Sequence, residues 1–184
     1  MAPTAVSSMD TKPSPLGECV VYLGVLNYFF TVDEATPVVS RIGTVIGHLQ
    51  LRITPYDEFV PYEHTDVDST EEQVYEYMDR PLQYRVELRR LSQLAPQRFS
   101  HLSLRYTFFR ETSTQTPRFQ VDANGDSGPL GLEFRHVVDV SDALVKYVTG
   151  STLSIEVRAW ASDHLVPDTD LVVCAQLLGH TSAE

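Results

Sequence analysis

Residues 82–91 read LQYRVELRRL. Leu82, Tyr84, Val86 and Leu88 fall on one side of an extended chain, and Gln83, Arg85, Glu87 and Arg89 on the other. Successive side chains of a strand point to opposite faces, so this pattern means one buried face and one wet face. HLSLRYTFF, residues 101–109, repeats it, with Leu102, Leu104, Tyr106 and Phe108 against Ser103, Arg105, Thr107 and Phe109. LSIEVRAW, residues 153–160, sets Leu153, Ile155, Val157 and Ala159 against Ser154, Glu156, Arg158 and Trp160. One-sided alternation belongs to antiparallel sheet, so these three segments point to an all-β chain.

Working outward, ECVVYLGVL (18–26) is a short apolar run, read as a buried strand. TPVVSRIGTVIGHLQLRITP (36–55) holds two strand signals around Gly43 and Gly47. TPRFQV (116–121) is a weaker strand, and LEFRHVVDV (132–140) and DLVVCAQLLG (170–179) are stronger ones. DANGDSGPLG (122–131) is turn chemistry, with Asn-Gly and Ser-Gly-Pro. SDALVKYVTG offers Ser141 as N-cap, Asp142 in the first turn and Gly150 as a stop, which predicts one helix of roughly two turns. The expected fold is an antiparallel eight-stranded β-sandwich with that short helix. Residues 1–16, rich in Ser, Thr and Pro, read as a tail. Residues 17–184 read as one sandwich with an acidic inserted loop at about 56–80. Within that loop STEEQVYEYM (69–78), with Ser69 or Thr70 as cap, is a candidate short helix, although the charge density and Pro61 favour a solvated, mobile loop.

The net charge of -11 argues against nucleic acid as a partner, since phosphate binding needs a basic footprint. The charge is uneven. Nine acids and no Lys or Arg lie between Tyr56 and Asp79, whereas eleven Lys plus Arg face eight acids between Arg80 and Trp160. Cys19 and Cys174 sit in apolar runs and read as buried thiols in a reducing compartment. The N-terminus lacks the apolar core of a signal peptide, and no run reaches the length of a membrane span. A cytoplasmic protein is the expectation.

No residue combination announces catalysis. GxSxG, GxxxxGK and GxGxxG do not occur, and none of the six histidines is paired at i, i+4. His136, between Arg135 and Val137, reads as a hydrogen-bonded structural histidine. No catalytic residue, metal or cofactor is therefore expected. The chemistry left is charge. If the 82–91 and 101–109 strands pair, Arg85, Arg89 and Arg105 either form a basic face fit for anionic lipid headgroups or acidic protein segments or, with Glu87 interleaved, an ordinary solvated sheet face, the reading the residues favour. Asp66, Asp68, Glu71 and Glu72 are the candidate acidic loop that would cover it. Exposed ion pairs stabilise by about 0–1 kcal/mol each, so such a cover would be displaceable.

Segment 82–178 resembles a C2 domain, an eight-stranded sandwich often used for calcium-dependent lipid binding. LQYRVELRRLSQL is similar to its first strand, HLSLRYTFF to the strand after the first loop, LSIEVRAW to the strand entering the third loop, and DTDLVVCAQLLG to the next. Over 17–160 the order and spacing resemble the C2-like tail region of kinesin-3 motors. The matching segments there are LGECVVYLGVLNYFFTVDEATPVVSRIGTVIGHLQLRITP, an acidic insertion, RVELRRLSQL and LSLRYTFF, then FRHVVDVSDALVKYVTGSTLSIEV. Segment 17–54 is similar to the last two strands of a C2 domain placed before the first, which implies either a permuted sandwich that 17–54 completes, the favoured reading, or the end of one domain beside the start of another. The family holds calcium between aspartates of the first and third loops, whose oxygens must converge. Here SQLAPQRFSH has no acid, Ala159 and Ala161 stand near the expected ligand positions, and Asp163, Asp168 and Asp170 share one loop. Calcium binding is not expected. The resemblance implies a non-catalytic protein-interaction module of a microtubule-motor tail, binding a cargo adaptor or the motor's own segments. Its setting would be cytoplasmic and cytoskeletal, ciliary or flagellar included, with the ATPase outside this chain. The competing readings are a calcium-independent module for anionic membrane lipid and a C2-like scaffold of a ciliary or centriolar protein.

Overall fold

The computed structural model describes residues 12–56, 73–94 and 99–161. Its strands are β1 (Ser14–Tyr22), β2 (Val32–Ser40), β3 (Val45–Tyr56), β4 (Pro81–Ser92), β5 (Phe99–Tyr106), β6 (Thr114–Gln115), β7 (Leu132–Asp139) and β8 (Thr152–Ala161). The helix α1 is Asp142–Gly150, and 3-10 turns occupy Gly24–Tyr28 and Val74–Tyr77. Every pairing is antiparallel, in the order β6-β5-β8-β1-β2-β3-β4-β7. The all-β expectation with one short helix holds.

The sheet curls at one join. β1 pairs with β8 from Ser14↔Ala159 to Tyr22↔Thr152, but with β2 only at Gly17↔Ser40 and Glu18↔Val39. Gly17 permits that close crossing, because a Cβ there would lie 2.8 Å from the Val39 carbonyl oxygen. Beyond the join the halves β6-β5-β8-β1 and β2-β3-β4-β7 face each other. Tyr84 of β4 meets Phe108 at 5.1 Å between ring centroids, and Tyr106 of β5 meets Phe134 of β7 at 6.1 Å. The alternating apolar residues of β4, β5 and β8 all point into this space and are buried. Fully burying each large one stabilises by about 1.5–3 kcal/mol.

Segment 17–54 joins the same sheet: β1 pairs with β8, and β3 pairs with β4 from His48↔Ser92 to Tyr56↔Gln83. In α1 the Ser141 hydroxyl accepts the Leu144 N–H, and Leu144 and Val148, one turn apart, are its buried residues. The helix stops at Gly150 as expected, and the chain leaves through Ser151 in extended geometry, whose N–H bonds the Tyr147 carbonyl.

TPRFQV differs from expectation as well. Only Thr114–Gln115 forms a strand, followed by a single bridge, Leu102↔Phe119. Pro117 has no N–H to extend a ladder. The segment instead runs irregularly along the free edge of β5, where the Thr116 hydroxyl accepts the Leu104 N–H, and the Arg118 guanidinium lies 4.4 Å above the Trp160 ring of β8. Trp160, placed on the wet side by its alternation, is consequently buried. Residues 69–72, with the expected cap Ser69 or Thr70, and the expected strand 170–179 lie outside the described residues; in the rest of 69–78, Val74–Tyr77 is a 3-10 turn capped by Gln73 and Glu76.

Candidate functional site

The expected basic face required β4 beside β5. In the structure β3 and β7 flank β4, while β8 and β6 flank β5. Inner faces meet across the core, so outer faces look away from each other. Arg85 and Arg89 therefore sit on one outer face and Arg105 on the opposite one. Consecutive in the chain, β4 and β5 lie in opposite halves of the curled sheet, a placement that local alternation does not encode.

Nor is Arg85 or Arg89 free. Arg85 lies 3.4 Å from Glu133, and Arg89 bonds both Asp33 oxygens at 3.2 Å and Glu87 at 3.1 Å. Arg52 approaches Asp33 at 3.5 Å and Arg135 approaches Glu133 at 3.1 Å. This face is a lattice of alternating sign, each pair partly exposed and individually weak. Arg105 donates to Ser113 at 2.9 Å and stands opposite Glu156 of β8. Asp66, Asp68, Glu71 and Glu72 lie outside the described residues, as do Asp163, Asp168, Asp170 and Cys174.

His136 lies in a buried polar chain. Its Nε2 is 2.8 Å from the Tyr106 hydroxyl, its Nδ1 meets the Glu111 carboxylate, and Phe108 stacks on the ring at 4.9 Å. The chain ties β5, the loop after it and β7 together across the core. The Cys19 thiol is buried, and desolvation, with a smaller push from Glu18, raises it to about 12. A group so reluctant to ionise is a poor nucleophile or metal ligand. In the 122–131 turn, Asp122 accepts the N–H groups of Asn124 and Asp126. The Asp126 carboxyl is held below its usual range by its bond to Arg90, with the Gly128 N–H adding.

A different surface emerges where β1, β3, β7 and α1 end. Residues 19–32, CVVYLGVLNYFFTV, contain no charge. Leu23 and Leu26 are buried, but Tyr22, Val25, Tyr28 and Phe30 are exposed, as are Tyr75 and Met78 of the neighbouring 3-10 turn; Phe30 reaches 63% and Tyr22 60%. The segments that bear them are joined to one another and to α1. Phe29 packs edge-on against Tyr77 at 5.1 Å, and Asn27 donates to Gln73 at 3.3 Å. The Phe30 N–H returns to the Val25 carbonyl at 3.2 Å, and the Tyr22 hydroxyl reaches the Thr149 carbonyl of α1 at 3.2 Å. Reading 18–26 as buried strand missed this surface. β1 stops at Tyr22, and the run beyond it turns over the end of the sandwich. The signal available in the sequence was the length of the uncharged run, longer than one strand needs.

No protein-family model matches this chain, and no curated protein matches it in sequence.

Proposed function

We propose that the chain is a non-catalytic protein-interaction module, and that it works in the tail of a kinesin-3-type microtubule motor, binding a cargo adaptor or the motor's own segments. The observation that carries the first half is the contrast between two surfaces. The charged outer face of β2-β3-β4-β7 is internally paired, whereas the end bearing Tyr22, Val25, Tyr28, Phe30, Tyr75 and Met78 exposes uncharged aromatic and sulfur-containing side chains together. Tyr, Phe and Met are enriched in the buried centres of protein interfaces, and a clustered apolar patch is a recognition feature where scattered residues are not. The second half is supported by the sequence resemblance over 17–160. It implies a cytoplasmic, cytoskeleton-associated setting, without a cofactor and with the ATPase elsewhere in the parent protein.

The second reading, a module for anionic membrane lipid, is favoured by one observation: Ile42 is 88% exposed at the tip of the β2–β3 hairpin, between Arg41 and an exposed Val45. An apolar tip beside a cation suits a headgroup layer. Cross-linking the purified chain to candidate adaptors and to the remaining segments of its parent protein, with the cross-links mapped, separates the two. Saturable binding to a protein supports the module. Salt-sensitive co-sedimentation with phosphatidylserine vesicles, and no protein binding, would overturn it in favour of lipid.

A further inference from the structure

Resting on the interaction-module reading and narrowing it, we infer that the uncharged end of the sandwich is the docking face for a basic amphipathic helix of a protein partner. The face is built from two 3-10 turns and the end of α1. Turns offer no run of free ladder groups, so an added strand would find no template there. A helix instead recognises a surface by apolar side chains at i, i+3, i+4 and i+7, which needs only exposed rings and gaps between them. Phe30, Tyr75 and Tyr22 supply the rings, and Val25 and Met78 the adaptable apolar floor. Phe29 and Tyr77, packed on each other beneath, hold the two turns in register.

The charge around this face chooses the sign of the partner. Glu76, Asp79, Asp139 and Asp142 are exposed at its rim, against Arg80 and Lys146. The rim is tied to one end of the sandwich, since the Asp79 N–H bonds the Val140 carbonyl at 3.0 Å and the Val140 N–H bonds the Arg80 carbonyl at 2.9 Å. An apolar centre inside an acidic rim complements a helix with an apolar stripe flanked by Lys or Arg, and it repels an acidic one. Rim charges act chiefly on the encounter rate, so binding should weaken as salt rises.

The test uses the full chain and a designed helical peptide of about 18 residues, leucine and lysine at the helical period, with a leucine–glutamate peptide of the same pattern as control. Calorimetric titration should show saturable one-to-one binding of the lysine peptide, and binding of the glutamate peptide weaker by at least about tenfold. Phe30→Ala combined with Tyr75→Ser should weaken the lysine peptide by about tenfold or more, because a few aromatic anchors carry most interface energy. Both side chains are exposed, so the melting temperature reports that the variant is folded. Val137→Ser, at an exposed apolar position on β7, should leave the affinity unchanged. Equal affinity for both peptides, unchanged affinity of the double variant, or equal loss in Val137→Ser would each overturn the inference. So would preference of the chain for phosphatidylserine vesicles over the lysine peptide. If natural-partner cross-links map to the outer sheet faces, this docking face is wrong and the interaction module stands. If no protein binds at all, the module itself falls.

Discussion

The Tyr106 hydroxyl on β5 lies 2.8 Å from Nε2 of His136 on β7, so a buried polar bond joins the two facing halves of the curled sheet. Glu111, 25 positions before His136 in the chain, takes the other ring nitrogen. Tyr106 and His136 are buried and Glu111 is half-buried, so the imidazole depends on both partners, because a buried polar atom left unpaired costs about 1–3 kcal/mol.

Tyr106→Phe should therefore destabilise by about 1–3 kcal/mol, although it removes a single oxygen. Combined with Glu111→Gln, the loss should be non-additive by about 0.5 kcal/mol or more, since both substitutions act through one imidazole. Urea unfolding of the two single variants and the double variant measures this. Additive losses would show that the two contacts are independent and that His136 does not link them.

Alkali should weaken the fold. Burial raises the Cys19 thiol from 9.0 to about 12, and it pushes the phenols of Tyr84 and Tyr106 well above their ordinary 10.0. In the unfolded chain these groups lose their protons first, so the folded chain holds more protons above pH 9 and stability falls as pH rises. Below the unfolded values their contribution is fully present. The melting temperature should be flat from about pH 7 to 8.5 and fall steadily above about 9.5. A Cys19→Ala variant should begin its decline later, nearer the phenol range. A flat curve for the parent protein up to about pH 11 would show that none of these groups is buried in its neutral form.

Two turn glycines separate backbone strain from close approach. Gly125 has φ +75, and a Cβ there would lie 2.0 Å from the Leu94 carbonyl oxygen; Gly43 has φ +82 with nothing within 4 Å. Gly43→Ala should cost about 1–2 kcal/mol, the left-handed penalty alone. Gly125→Ala should cost more, by about 2 kcal/mol or above, because the 122–131 turn must move off Leu94. Thermal denaturation of both variants decides it. Equal losses would mean that the turn yields freely.

Arg89→Gln should change stability by no more than about 1 kcal/mol, since its bonds to Asp33 and Glu87 are partly exposed and screened. It should also leave phosphatidylserine vesicle binding unaltered, because the neighbouring carboxylates already neutralise that face. A clear drop in vesicle association on removing Arg89 would return the arginine face to consideration.

The inward residues of β4, β5 and β8 were legible in the sequence, as was the Ser141 cap, because each is written in its own segment: alternation of period two, or a hydroxyl three residues before an unpaired N–H. The arginine face was not legible. Arg85 and Arg105 are consecutive in strand order, and adjacency in the chain suggested adjacency in the sheet. β4 and β5 lie in opposite halves of the curled sheet instead, and β3 and β7 take the places beside β4. Trp160 shows the same limit on a single residue. Its outward position follows from β8 alone, but its burial comes from Arg118, 42 positions earlier in the chain.

The sequence by itself determined the strand class, the buried side of the main strands, the helix and its start, and the acidic balance, since those follow from short-range periodicity and composition. Only the tertiary structure decided which strands are neighbours, that charges on β2, β3, β4 and β7 cancel, that Tyr106, His136 and Glu111 share one buried chain, and that the uncharged run after β1 surfaces beside the turn at Val74–Tyr77. Those outcomes depend on which distant segments the curled sheet brings together, and that is settled by burying all the apolar faces at once rather than by any stretch of the chain alone.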